Sequence, residues 1–79
     1  MQNSDVARFV QRAEAIYETR LQTVLEPCHK DSYVAIEPES GEYFLGQTMN
    51  DAAKAARNAH PSRLNHVMRV GHKAALHLG

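Results

Sequence analysis

Between Ser4 and Glu26 apolar side chains return at steps of three and four: Val6, Phe9, Val10, Ala13, Ile16, Tyr17, Leu21 and Val24. That period lays one continuous apolar stripe along an α-helix. Ser4 or Asn3 offers a cap oxygen to the free first-turn amides, and Asp5 suits the positive end of the helix dipole. Pro27 is expected to stop the helix, because proline has no amide and restricts the residue before it. At 1.5 Å per residue the helix is roughly 34 Å long. A compact chain of this size has a radius of gyration of about 12 Å, so the helix is expected to overhang whatever it packs on.

The chain has 79 residues, room for one small domain, 1–79. Domains this small rarely bury enough apolar surface alone and lean on disulfides, a metal or a partner chain. The lone Cys28 removes an intrachain disulfide and fits a reducing cytoplasm. The start Met1-Gln2-Asn3-Ser4-Asp5 lacks the basic and apolar regions of a signal peptide, and no apolar run approaches the ~20 residues that cross a bilayer. The expectation is a cytoplasmic chain.

After a polar link at Cys28–Asp31, the β-rich runs Tyr33-Val34-Ala35-Ile36 and Tyr43-Phe44-Leu45 flank Pro38-Glu39-Ser40-Gly41. This is a hairpin signal, with Gly41 free to take the left-handed conformation that a loop of three to five residues needs. Thr48 and Asp51 have capping-box spacing and open a helix over about Met49–Ala59, with Met49, Ala52, Ala53, Ala56 and Ala59 inward and His60-Pro61 ending it. Leu64–Val70 reads as a third strand with Leu64, His66, Met68 and Val70 on one face. The tail His72–Gly79 fits a short helix, a fourth strand or a loose end equally. The fold class is therefore α+β, in the order α-β-β-α-β. A right-handed crossover puts the third strand either beside the first and antiparallel to it or beside the second and parallel to it; the former is expected, giving a three-stranded antiparallel sheet of order 2-1-3.

The run Tyr33–Gly46, the Ala-rich helix after it and the ending Arg69-Val70-Gly71 resemble short stand-alone prokaryotic proteins of unknown function. In those, a Tyr/Phe-Val-Ala-Ile strand leads into an acidic Ser-Gly turn and an aromatic strand. The resemblance covers about residues 28–75. It implies a small accessory or mobile-gene product, with no reaction and no catalytic residue to carry over.

Several constellations could carry chemistry. His29, His60, His66, His72 and His77 are many for so short a chain, and imidazole binds zinc, copper and nickel well. Their spacing matches neither His-Glu-x-x-His nor a paired Cys/His finger, so no metal and no cofactor is expected. Cys28 and His29 are sequence neighbours, which usually point apart, and no third orienting group accompanies them. Glu37, Glu39 and Glu42 gather at the hairpin and are expected to stay solvated there, rather than form an acid-base pair. Catalytic residues are thus expected to be absent.

Nine basic residues balance nine acidic ones, but not evenly. Residues 1–48 hold four cations against eight carboxylates, and residues 49–79 hold five cations against Asp51 alone. A basic second half could touch phosphates, although no helix-turn-helix, basic zipper or aromatic platform accompanies it. Complementarity between the halves, within or between chains, is the simpler account. Arg20 falls inside the apolar stripe, either snorkelling along it or anchoring an interface.

These observations point to a small non-enzymatic protein that works by association, as a homo-oligomer (dimer or tetramer), with a second protein as a further possible partner and no membrane. The sheet looks apolar on both faces, Val34, Ile36 and Phe44 on one and Tyr33, Ala35, Tyr43 and Leu45 on the other. Two helices covering one face would leave the other to a partner copy. Phe9, Ile16, Tyr17, Arg20, Leu21 and Tyr43 are the expected contact residues. The alternative is a nucleic-acid-linked or antitoxin-like accessory regulator using the basic C-terminal half.

Overall fold

In the computed structural model, which describes residues 3–72, the N-terminal helix runs from Asn3 to His29 in three parts. These are α1 (Asn3–Ile16), one π-helical turn (Tyr17–Leu21) and α2 (Gln22–His29). In the π turn the Gln22 N–H donates five residues back, to the Tyr17 carbonyl. The Thr19 hydroxyl meanwhile donates to the Ala15 carbonyl at 2.7 Å, a local bond that competes with the regular ladder. Closing five residues back instead of four takes up one extra residue. The inward stripe therefore slips by one position, and Ala13, Tyr17, Leu21 and Leu25 form the buried row.

This corrects the end of the expected stripe. Leu25 is 1% exposed, whereas Val24 is 58% exposed. In a plain α-helix the four-residue steps from Ala13 to Leu25 would drift about 40° each and carry Leu25 off the face. Pro27 also fails to stop the helix, and lies inside α2. The carbonyl that its missing amide would have bonded belongs to Thr23, an exposed residue that water can reach. The helix ends at a tight turn instead. Ser32 N–H donates to the His29 carbonyl at 3.0 Å across Lys30 and Asp31, and Asp31 takes φ +74°.

The strands are β1 (Tyr33–Glu37), β2 (Glu42–Gly46) and β3 (His66–Arg69), with α3 (Met49–Ala59) between the last two. Both pairings are antiparallel and the order is β2-β1-β3. The architecture is α+β, in the chain order and strand order read from the sequence. Gly41 holds φ +79° in the hairpin turn. At the start of α3 the Thr48 hydroxyl oxygen accepts from the Asp51 N–H at 3.0 Å, as a helix cap should.

The faces differ from expectation in β2. Glu37 pairs with Glu42 across a loop of four residues, so Ala35 lies opposite Phe44 and Val34 opposite Leu45. Residues directly opposite share a face, so Phe44 joins Tyr33 and Ala35, while Tyr43 and Leu45 join Ile36 and Val34. The long helix packs on the second of these faces, with Ala13, Tyr17, Leu21 and Leu25 against Val34, Ile36, Met68 and Val70. The helix α3 packs on the other, with Ala52 and Ala56 against Ala35 and the half-buried Tyr33, Phe44 and Val67. One helix of the same chain thus covers each face, and the sheet does not need a partner copy as its lid.

Small side chains let α3 lie close. A β-carbon on Gly46 would come within 2.4 Å of the Ala52 backbone nitrogen. Only Ala52 and Ala56 of its expected inner face are fully buried, with Met49 and Ala59 exposed. The Cα radius of gyration is 11.8 Å. Among the described residues no helix is long and apolar enough to cross a membrane. The tail from residue 73 onward, His77 included, lies outside the described residues.

Candidate functional site

The densest polar constellation is at the hairpin corner. Glu37 ends β1 with its carboxylate turned back under the loop, and the residue is 1% exposed. Its two oxygens accept from the Glu39 and Ser40 N–H groups, each at 2.9 Å. Arg63, from the loop before β3, reaches Glu37 Oε1 at 3.4 Å and Glu39 at 3.3 Å. Burial pushes the Glu37 carboxyl up, but the hydroxyl and amide of Ser40, the amide of Glu39 and the Arg63 charge outweigh it and hold it at about 2. The expectation of three solvated carboxylates is thus corrected for Glu37. It is a brace for the turn that is ionised at neutral pH, because the two aimed amides and Arg63 favour the charged acceptor. The sequence signal was a Glu followed by Pro-x-Ser-Gly, which places two loop amides within one side chain's reach.

Three side chains of the second half, Arg63, His60 and His72, reach carboxylates of the acidic first half. His60 Nε2 lies 2.6 Å from Glu42 Oε1, with its ring edge-on to Phe44. On the far side His72 Nε2 lies 2.7 Å from Asp31 Oδ1, and this hydrogen bond is the main cause that draws the Asp31 carboxyl down. Arg69 sits over the Tyr33 ring at 5.6 Å. Lys54 and Arg57, on the exposed side of α3, make no ion pair among the described residues.

The other polar seam fastens the helix to the end of β3. The buried Tyr17 hydroxyl donates to Glu26 Oε2 at 2.9 Å and accepts from the Gly71 N–H at 3.1 Å. Burial raises the Tyr17 pKa, so the hydroxyl stays protonated and keeps both bonds.

Arg20 projects the opposite way. The one-residue slip that buries Leu21 rotates Arg20 off the apolar stripe, which resolves its odd position in the sequence. Its guanidinium overlies the hairpin, so that a β-carbon on Gly41 would come within 3.1 Å of Nη1. Arg20 and Tyr43 flank an open groove of about 460 Å³ along Ser40–Phe44. Of the six expected contact residues these two are exposed, while Tyr17 and Leu21 belong to the chain's own core and Ile16 packs against it. The sixth, Phe9, is half-buried.

Phe9 belongs to the first turns of α1, where the stripe loses its cover. Ala13 is 0% exposed, Phe9 and Val10 are half-buried, and Val6 is 45% exposed. Phe9 meets the edge of His66 at 6.4 Å between ring centres. Burial lowers the His66 pKa against the opposing pull of Glu14, which keeps the imidazole neutral beneath the aromatic ring. The expected overhang of the helix is therefore present at its N-terminal end.

Among the described residues no three His, Cys, Asp or Glu side chains converge as a metal set would require. Cys28 is exposed and unbonded near the end of α2. No family model, curated protein or solved structure matches the chain.

Proposed function

We propose that this chain is a small non-enzymatic association protein that acts as a homo-oligomer. The observation that carries the reading is the partly uncovered start of the apolar stripe, with Val6 exposed and Phe9 and Val10 half-buried, next to the fully buried Ala13. The rest of the stripe has its cover within the chain, and an apolar strip at helical spacing that outruns its own sheet has the form of a helix-helix contact. The polar groups support the same reading. Glu37, Tyr17, His60 and Asp31 are each engaged in holding one element to another, which accounts for them without a reaction. Light scattering coupled to size exclusion tests the reading. It expects a particle of two or more chains at micromolar concentration, and a mass of 8.8 kDa at every concentration reached would refute it.

A second reading, a nucleic-acid-linked accessory regulator, draws on Lys54 and Arg57, which share one exposed helix side and make no ion pair among the described residues. Fluorescence anisotropy with a random duplex distinguishes the two. This reading expects binding that weakens steeply with salt, and no binding at low salt would dismiss it.

A further inference from the structure

The start of α1 carries a charge pattern that says what covers it. Val6, Phe9, Val10 and Ala13 form the stripe, and Asp5 and Arg12 stand seven residues apart beside it. Seven residues are about two turns, so both charges lie on the same flank of the stripe. Neither has an ion-pair partner among the described residues, and Arg12 reaches only the Pro38 carbonyl, at 3.4 Å.

We propose that α1 pairs with α1 of a second copy, antiparallel about a two-fold axis between residues 8 and 9, with Asp5 of each chain facing Arg12 of the other. This rests on the association reading above and names its surface. In an antiparallel two-fold pair, like flanks face each other, so a flank bearing Asp5 and Arg12 at equal distances from the axis is complementary to itself. The axis then lies about 5 Å along the helix from each charge. Phe9 sits beside the axis, against its own mate. Val6 lies one residue's rise from the level of Val10 of the other chain, so these two accessible side chains meet across the seam, while Ala13 stays under its own sheet. A parallel pair would bring both sheets to the same end, since each is attached at the Ala13 end of its helix. The antiparallel pair sends them to opposite ends. Glu14 lies on the other flank, within the field of His66, and takes no part in the seam.

The test is sedimentation equilibrium on the full chain, wild type, Asp5→Arg, Arg12→Asp and the double exchange. Each single reversal sets like charges face to face at two symmetric contacts, and is expected to weaken the dimer on the order of tenfold. The double exchange restores the wild-type constant. So does an equimolar mixture of the two single variants, because each then supplies the charge the other needs; a general loss of folding cannot produce that recovery. A dimeric wild type whose single variants dimerise unchanged, or whose mixture stays weak, overturns this seam and leaves the association reading standing. A wild type that remains monomeric overturns both.

Discussion

Replacing Glu37 with Gln should cost far more than a change at a loop edge normally does. The side chain keeps its shape and length, so packing is preserved and only the hydrogen-bonding character changes. At present two amides reach the carboxylate at 2.9 Å each, in a site that is 1% exposed. Bonds to a charged acceptor contribute about 1.5–3 kcal/mol each, and neutral ones about 1 kcal/mol. The glutamine retains one oxygen for one amide, presents an NH₂ to the other, and leaves Arg63 with only Glu39. The net loss is about 2–3 kcal/mol, which for a domain of this size lowers Tm by about 10–20 °C. The pH dependence gives a sharper check. The folded carboxyl titrates at about 2 against a usual 4.5, so the unfolded chain binds the proton more readily. The stability it contributes is complete above about 4.5 and lost as pH falls towards 2. Thermal melts by circular dichroism, in parallel from pH 7 to pH 2.5, should therefore show a wide gap between wild type and variant that narrows in acid. Near-equal melting at pH 7, or a gap that ignores pH, would refute the brace.

Four further outcomes are expected. Leu25→Ala should lose about 2–5 kcal/mol by denaturant unfolding while Val24→Ala stays within about 0.5; the reverse order would deny the π turn. Gly46→Ala forces a β-carbon against the Ala52 backbone nitrogen and should cost about 1–3 kcal/mol, with amide shifts at the start of α3 in NMR spectra. Tyr17→Phe keeps the ring but frees the Gly71 N–H and Glu26, a loss of about 1 kcal/mol accompanied by faster exchange of the Gly71 amide. Because burial holds the His66 pKa down, the wild type should lose stability as pH falls below about 6.5, and His66→Leu should lose less across that interval.

The element order, the strand order, the Gly41 turn and the Thr48 cap were legible because each rests on local signals: period, turn chemistry and a short side-chain oxygen. What escaped is non-local. Nothing in the run from Tyr17 to Leu21 announces a π turn, since its cause is the demand that Leu25 as well as Ala13 meet one sheet face. The facing of Phe44 escaped for a smaller reason, because moving the loop boundary by one residue reverses every side chain of β2. Glu37 was misplaced by the rule that turn carboxylates are wet, which holds until two amides converge on one. Arg20 was recognised as out of place, although its destination over Gly41 depends on that same π turn. The overhang of α1 was readable from length alone.

The central position of β1 also governs when this molecule can fold. Its partner β2 arrives within a few residues, so the hairpin can form as soon as both strands exist. Its other partner, β3, arrives only after α3 and a further loop, and the Tyr17–Gly71 clasp spans 54 positions. Loop closure over such separations slows folding. Until β3 docks, Val34 and Ile36 lack Met68 and Val70, and the long helix has only part of its seat. Until then the chain is a hairpin beside a partly seated helix, and the last strand in the sequence is the one that closes the core.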